Sequence, residues 1–261
     1  MSDLGVAVVI EDDTDMRNLL EGVLLQAGFE VHTATCGREG VQVVRDTRPD
    51  IVTLDVGLPD IDGFEVLRRI RQFSNAYIVM LTGRTQESDV LNALQAGADD
   101  YIIKPFRPRE MRARIAALMR RPRIHADGDP QPPQEPSPRV GGSSQSVLRH
   151  NGLALDPTRR TAAVSGAALD LTRSEFDILF ELIRGEGAVR SKRELVLALR
   201  GEYYQGATSI SDVDERAVEV HIGNLRRKLR DDPDSPRWLQ TIRGLGYRLA
   251  TDNPQMQGDQ H

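Results

Sequence analysis

The sequence predicts an α/β domain built on a five-stranded parallel sheet, joined to a smaller α+β domain. Three observations carry this. Five short apolar runs alternate with helix-spaced segments through the first 121 residues. Residues 122–146 are then rich in Pro and Gly and almost empty of large apolar side chains. Beyond them come short alternating runs, three helix starts and a closing hairpin. Strand–helix alternation argues for a parallel sheet covered on both faces, and the change of pattern argues for a second unit.

In the first unit, strands are expected at Val6–Ile10, Val31–Thr35, Ile51–Leu54, Tyr77–Leu81 and Tyr101–Ile103. Helices are expected at Met16–Ala27, Arg38–Asp46, Phe64–Phe73, Glu87–Gln95 and Pro108–Met119. In the first helix Leu19, Leu20, Val23 and Leu24 make one apolar stripe, and Gly28 follows as a stop. The segment 122–146 cannot bury enough surface to offset its ordering entropy, so it reads as a flexible linker. Domain bounds follow: 4–121, the linker 122–146, 147–251 and a polar tail 252–261.

In the second unit, Leu153–Leu155, Thr161–Val164 and Ala167–Leu171 suggest a small antiparallel sheet. Thr172-Arg173-Ser174-Glu175 has the spacing of a capping box, and Ser191-Lys192-Arg193-Glu194 repeats it before Leu195–Leu199. A third helix opens near Asp212 or Asp214 and runs to about Arg230. Trp238–Ile242, a Gly244-Leu245-Gly246 turn and Tyr247–Leu249 read as a hairpin.

The chain has 261 residues, 39% hydrophobic and 28% charged, with a net charge of −5. Residues 1–121 carry 15 Lys+Arg against 19 Asp+Glu, whereas 148–251 carry 17 against 15, so the second unit is the basic one. No apolar run reaches the roughly 18 residues of a membrane span, and the N-terminal stretch has neither the basic region nor the apolar core of a signal peptide. The single Cys36 excludes an intrachain disulfide and fits a cytoplasmic location.

Function is concentrated at strand ends. In an open parallel sheet ligands bind beyond the carboxyl ends of the strands. The first strand ends in Glu11-Asp12-Asp13, and Ile51–Leu54 ends in Asp55 before a loop through Gly57, Pro59 and Gly63. If those strands are neighbours, Glu11, Asp12 and Asp55 converge, and a hard divalent cation with oxygen ligands relieves their repulsion. Mg²⁺ suits an all-carboxylate set better than Zn²⁺. The fourth strand ends in Thr82 and the fifth in Lys104-Pro105. Acid pair, acid, hydroxyl and lysine at one sheet edge make a phosphoryl-transfer site with a carboxylate nucleophile. Asp60 and Asp62 read as turn residues.

The stretches VVIEDD, IVTLDVGLPDIDG, VMLTG and GADDYIIKPF resemble the receiver domain of a two-component response regulator, whose fold is flavodoxin-like. The resemblance implies that Asp55 accepts phosphate from a sensor histidine kinase, with Mg²⁺ held by Glu11, Asp12, Asp55 and the Gly57 carbonyl. It implies contact of Lys104 with the phosphoryl group, a switch pair Thr82 and Tyr101, and a cis Lys104–Pro105 bond. Gly57 and Gly83 are smaller than the residues usual there, from which faster loss of phosphate is expected. Asn92 stands where a basic residue often supports a receiver dimer; Asp99, Asp100, Glu110, Arg114 and Arg121 remain for the other pairs.

Residues 214–230 read DERAVEVHIGNLRRKLR. Val218, Ile222, Leu225 and Leu229 form a buried stripe, leaving Arg216, Arg226, Arg227, Lys228 and Arg230 as a basic face. The preceding short helix and the following hairpin, with Arg243 at its tip, make this a helix-turn-helix arrangement with a basic wing. The stretches LTRSEFDIL, SKREL, RAVEVHIGNLRRKL and TIRGLGYRL resemble the winged-helix domain of OmpR/PhoB-type regulators. That resemblance puts Ala217–Arg230 in the DNA major groove, with Arg216, His221, Arg226 and Thr241 at contact positions and Arg243 on the wing; His221 reads equally as a satisfied, half-buried core residue. Arg227 and Lys228 extend the basic face, and Asn224 can pair with adenine. The loop Gly201–Ser211, with Tyr203 and Tyr204, matches a loop that touches RNA polymerase in the family.

The expectation is a DNA-binding transcriptional regulator of a two-component system, not an enzyme. Phosphorylation of Asp55 promotes homodimerisation through the receiver and binding to double-stranded DNA half-sites. One rival is a transcription factor that dimerises without phosphate; the intact site speaks against it. The other is an aspartyl-phosphate phosphatase, which needs a second acid two residues after the nucleophile, where this chain has Gly57.

Overall fold

The computed structural model describes residues 5–83, 87–119, 147–200 and 210–250. The expected linker 122–146, the tail 252–261, Arg121, and Tyr203 and Tyr204 lie outside the described residues. The first ten elements alternate: β1 (Val6–Ile10), α1 (Thr14–Gln26), β2 (Glu30–Ala34), α2 (Gly37–Thr47), β3 (Ile51–Asp55), α3 (Gly63–Arg71), β4 (Tyr77–Thr82), α4 (Glu87–Gln95), β5 (Asp100–Ile103) and α5 (Pro108–Met119). The strands pair in parallel in the order β2-β1-β3-β4-β5. Strand order reverses between β1 and β3, so a crevice opens at their carboxyl ends, where the helices depart to opposite faces of the sheet.

β3 and β4 are buried along their whole length, as unbroken apolar runs in a doubly covered sheet should be. Leu20, Val23, Leu24, Met111 and Ile115 of α1 and α5 close one face. Val44, Val66, Leu67, Ile70, Val90, Ala93 and Leu94 of α2, α3 and α4 close the other. α1 begins at Thr14, earlier than the apolar stripe suggests, because the Asp13 carboxylate accepts from the Met16 N–H at 2.8 Å and caps it.

The second unit opens with an antiparallel sheet, β6 (Leu148–His150), β7 (Leu153–Asp156), β8 (Thr161–Val164) and β9 (Ala167–Leu169). β6 carries no alternation that would betray it and is held by its ladder to β7. Then follow α6 (Arg173–Arg184), α7 (Lys192–Arg200), α8 (Asp212–Leu229), and the hairpin β10 (Leu239–Ile242) and β11 (Gly246–Leu249). The expected capping boxes on Thr172 and Ser191 are present, and Ser211 with Asp214 forms a third at the start of α8. Val218, Ile222, Leu225 and Leu229 are all buried in the core of this unit. Each such side chain contributes about 1.5–3 kcal/mol by leaving water. Gly246 is required where β11 passes the start of α7, since a Cβ there would lie 2.0 Å from the Arg190 carbonyl oxygen.

The two units are packed together along a seam. Ala217 of α8 joins the core on the α4 side of the receiver sheet, with Val213 and Val220 beside it. Asn224 donates to the Leu94 carbonyl at the end of α4, at 3.0 Å. The N-terminus of α6 docks on β5: the Ser174 N–H donates to the Asp99 carboxylate at 2.8 Å, and its hydroxyl bonds the Asp99 carbonyl at 3.2 Å. At the opposite edge of the sheet from the acids, Arg173 reaches Asp50 and Asn75 bonds Asp170.

Candidate functional site

The strand register brings the predicted strand-end residues together. Ile10 pairs with Leu54, Asp55 with Leu81, and Thr82 with Ile103, so Glu11, Asp55, Thr82 and Lys104 fall on one edge. The ammonium of Lys104 sits 2.8 Å from Asp55 Oδ1 and 2.7 Å from Glu11 Oε2. The second Asp55 oxygen accepts from the Gly57 N–H at 3.1 Å. Glu11, Asp12 and Asp55 each present an oxygen within 4.8 Å of the others. The Lys104–Pro105 bond is cis.

The loop after Asp55 is built for close approach. A Cβ on Gly63 would lie 2.3 Å from the Asp55 carbonyl oxygen, so only glycine lets α3 start against the end of β3. Asp62 caps α3 through the Phe64 N–H at 2.7 Å. Asp60, expected as a turn residue, instead reaches across to the start of α2 and accepts from Gly37 and Arg38 at 2.7 and 3.0 Å. Burial acts upward, but the backbone N–H donors together outweigh it and hold its carboxyl down at about 2. Arg17, which sequence reasoning missed, turns back from α1 to donate to the carbonyls of Glu11 and Asp12 at 2.9 and 3.1 Å.

Electrostatics at this edge are unbalanced. Burial pushes the Glu11 carboxyl above its ordinary value, and the Asp55 charge pushes the same way against Lys104. For Lys104, burial favours the neutral amine, but Asp55 and Glu11 overcome this and raise its value. Three carboxylates face one ammonium, a donor set of oxygens that fits a hard divalent cation. Around Gly57 and Gly83 there is open space: a Cβ at Gly57 would meet only Asp55 Oδ2, at 3.4 Å, and one at Gly83 would meet nothing within 4 Å.

Tyr101 lies on β5, 5% exposed, its ring flanked by the guanidinium groups of Arg114 and Arg200 at 5.9 and 5.8 Å. Its hydroxyl donates to Asp214 of α8 at 3.3 Å. Arg200 of α7 binds that carboxylate at 2.5 Å and Asp100 of β5 at 3.2 Å. Asp100 also takes Arg114 at 2.6 Å; burial opposes its ionisation, and the two arginines outweigh it and lower its value.

The residues expected to meet DNA divide into three groups. Arg216, Arg227, Thr241 and Arg243 are exposed. Arg226 and Lys228 are half-buried and tied: Arg226 donates to Thr241 and to the Leu239 carbonyl, and Lys228 to the buried Glu175 at 2.6 Å. His221 and Asn224, 1% and 4% exposed, face the receiver. Val213, Ala217 and Val220 share that face, a second apolar stripe on α8 whose spacing in the sequence marks a docking surface.

Comparison with known proteins matches both halves of the chain. Residues 7–116 match the response regulator receiver domain, and 166–249 match the C-terminal domain of transcriptional regulatory proteins. The transcriptional regulatory protein AfsQ1 of Streptomyces coelicolor is 38% identical over 95% of this chain and 98% of its own. The alkaline phosphatase synthesis transcriptional regulatory protein PhoP of Bacillus subtilis is 34% identical over 95% and 97%. The solved structure of a RitR mutant shares the fold at a TM-score of 0.68, with 22% identity, covering 95% of this chain and 99% of that one. Fold and site thus define a class, the response regulators that control transcription. The chain belongs to the OmpR/PhoB-type family of two-component response regulators, a receiver joined to a winged-helix DNA-binding domain.

Proposed function

We propose that a sensor histidine kinase transfers a phosphoryl group to Asp55, and that this releases α8 for sequence-specific binding to double-stranded DNA as a homodimer. The observation that carries the reading is the sheet edge itself: Asp55, with Lys104 and Gly57 on its two oxygens and Glu11 and Asp12 beside it. A carboxylate held this way is an oriented nucleophile, and Lys104 stands where charge accumulates on the transferred group. Glu11, Asp12, Asp55 and the Gly57 carbonyl would hold Mg²⁺, which supplies charge neutralisation on phosphoryl oxygens. Thr82 and Tyr101 are the switch pair in this reading.

The seam gives the switch something to act on. Tyr101 touches α8 directly, so any change in its rotamer changes the contact with Asp214. Asp99 and Asp100, two of the side chains expected to pair receivers in a dimer, are engaged across the seam by Ser174 and Arg200. Closed monomer and receiver dimer therefore compete for the same groups, and dimerisation draws the molecule open by mass action. Once open, Arg216, His221, Asn224, Arg226, Arg227, Lys228, Thr241 and Arg243 form the DNA face, α8 in the major groove and the wing beside it. The bounds 4–121 and 147–251 delimit the two domains, with 122–146 as tether and 252–261 as tail. RNA polymerase is the further partner, and the cytoplasm is the compartment.

The test is sequencing of DNA protected by the full chain, with and without acetyl phosphate and Mg²⁺, for wild type and Asp55→Asn. Sharpened binding in wild type alone supports the reading. Equal binding by both proteins removes phosphorylation from it, and leaves a regulator that works without phosphate.

A further inference from the structure

We propose that the seam is also a proton-sensitive latch: a proton taken up by His221 loosens the contact between α8 and the receiver with no phosphoryl group on Asp55. His221 lies on α8 facing the receiver, 1% exposed, and bonds the backbone of Asp99. The narrow gap between the domains, lined by His221 together with Leu94, Asp99, Asp100, Arg200 and Asp214, leaves about 10 Å³ for water. That is the lower limit for one water molecule, so an imidazolium there would have at most one water to replace its hydration shell.

Counter-charge is committed elsewhere. On the receiver side, Asp99 is bound by Arg71 of α3 at 2.6 Å, and Asp100 by Arg114 of α5 and Arg200 of α7. On the effector side, Asp214 of α8 is bound by Arg200, and Glu175 of α6 by Lys228. The phenols of Tyr77 and Tyr101 complete the titratable groups around it. Each carboxylate near His221 among the described residues already has a cation of its own. A further proton would place unbalanced charge in a buried seam whose carboxylates are already paired, which is costly.

The direction follows. Burial lowers the His221 value below the ordinary 6.5, and the partial attraction of Glu175, Asp99 and Asp100 does not restore it. Opening returns the ring to water and to its ordinary value. Closure is therefore fully favoured above about pH 6.5 and weakens as pH falls through the lower value of the closed form. Each pKa unit by which closure depresses the ring is a tenfold change in the open-to-closed ratio. The flanking carboxylates are paired with cations, and the two arginines hold Asp100 below its ordinary 3.8.

The experiment uses the full chain carrying Asp55→Asn, so that phosphorylation plays no part. Small-angle scattering follows its radius of gyration from about pH 8 to about pH 5.5, alongside the same chain with His221→Gln. The expected result is a reversible, several-fold rise in the open fraction below about pH 6.5, absent from the Gln variant. Should that variant be open at every pH, ¹³C-histidine NMR on the Asp55→Asn chain decides: the His221 resonance must titrate below its ordinary value and in step with the expansion. A flat radius down to about pH 5.5 overturns the latch, as does the same rise in a closed Gln variant, or titration of His221 without expansion. The latch rests on the proposed function only for its consequence. Expansion without any gain in DNA affinity would sink the DNA-release reading and leave the latch standing.

Discussion

The receiver sheet meets two clusters of charge, and they are built on opposite rules. At the carboxyl edge, Glu11, Asp12 and Asp55 crowd one Lys104, and Glu11 is pushed toward its protonated form. Along the seam, every carboxylate of the Asp99–Asp100–Asp214–Glu175 group has a guanidinium or ammonium partner between 2.5 and 2.6 Å. The first is short of positive charge; the second is balanced, each domain pairing its own carboxylates, with Arg200 of α7 reaching across to Asp100 of β5 at 3.2 Å. An unsatisfied cluster invites an incoming group, and a satisfied one between domains stores a conformational choice. Tyr101 is the side chain that stands between them.

The sharpest way to break this contrast is at the incomplete cluster. Asp55→Asn should abolish phosphoryl incorporation from acetyl phosphate, read by phosphate-affinity electrophoresis. Its thermal midpoint in chelator should match wild type or exceed it, because one of three crowded charges has gone.

Next in size is the complete cluster. Arg200→Ala leaves Asp100 and Asp214 facing each other across the seam without their shared cation. Breaking a buried pair from one side costs about 3 kcal/mol or more, roughly a hundredfold in equilibrium. The variant should be open by scattering without phosphate. If it stays as compact as wild type, the seam is not held by these pairs.

Glu11→Gln tests the sign of the imbalance. A raised carboxyl value means the fold favours the protonated group; that advantage is whole below the ordinary 4.5 and is lost as pH rises through the folded value. At neutral pH, ionised Glu11 thus burdens the metal-free fold. The variant should melt higher than wild type in chelator, yet gain less from added Mg²⁺. A lower midpoint in chelator would show that Lys104 more than compensates for burial.

The smallest effect is expected at Asp60→Asn, which weakens the hold of the β3–α3 loop on α2. A loss of about 0.5–1 kcal/mol is expected at neutral pH, the scale of a helix cap. Because the Asp60 value is lowered from 3.8 to about 2, its contribution is whole above 3.8 and vanishes as pH falls through about 2. A denaturant series on both proteins at neutral and acid pH checks it.

The carboxyl edge is legible in the sequence because each of its residues ends a strand whose period is readable, and strand–helix alternation implies a parallel sheet. β4 and β5 end where their hydrophobic runs do, give or take a residue, and Thr82 and Lys104 follow from that. The seam is not legible in the same way. Its partners lie far apart in the chain, as Asp99 and Ser174 or Leu94 and Asn224 do, and no local period links them. Reading α8 with a single apolar stripe hides the contact of His221 and Asn224 with the receiver. The helix has two, and Val213, Ala217 and Val220 mark the second. Arg17 and Asp60 escape a reading of spacing because a side chain that bonds backbone groups leaves no periodic pattern.

The central claim is that phosphorylation of Asp55 uncovers the receiver-facing side of α8. Diethyl pyrocarbonate labelling of His221, read by peptide mass spectrometry on the full chain, measures that side directly. With acetyl phosphate and Mg²⁺, the labelling rate of His221 should rise in wild type and stay low in Asp55→Asn. An unchanged rate in wild-type protein shown to carry the phosphoryl group would contradict the account.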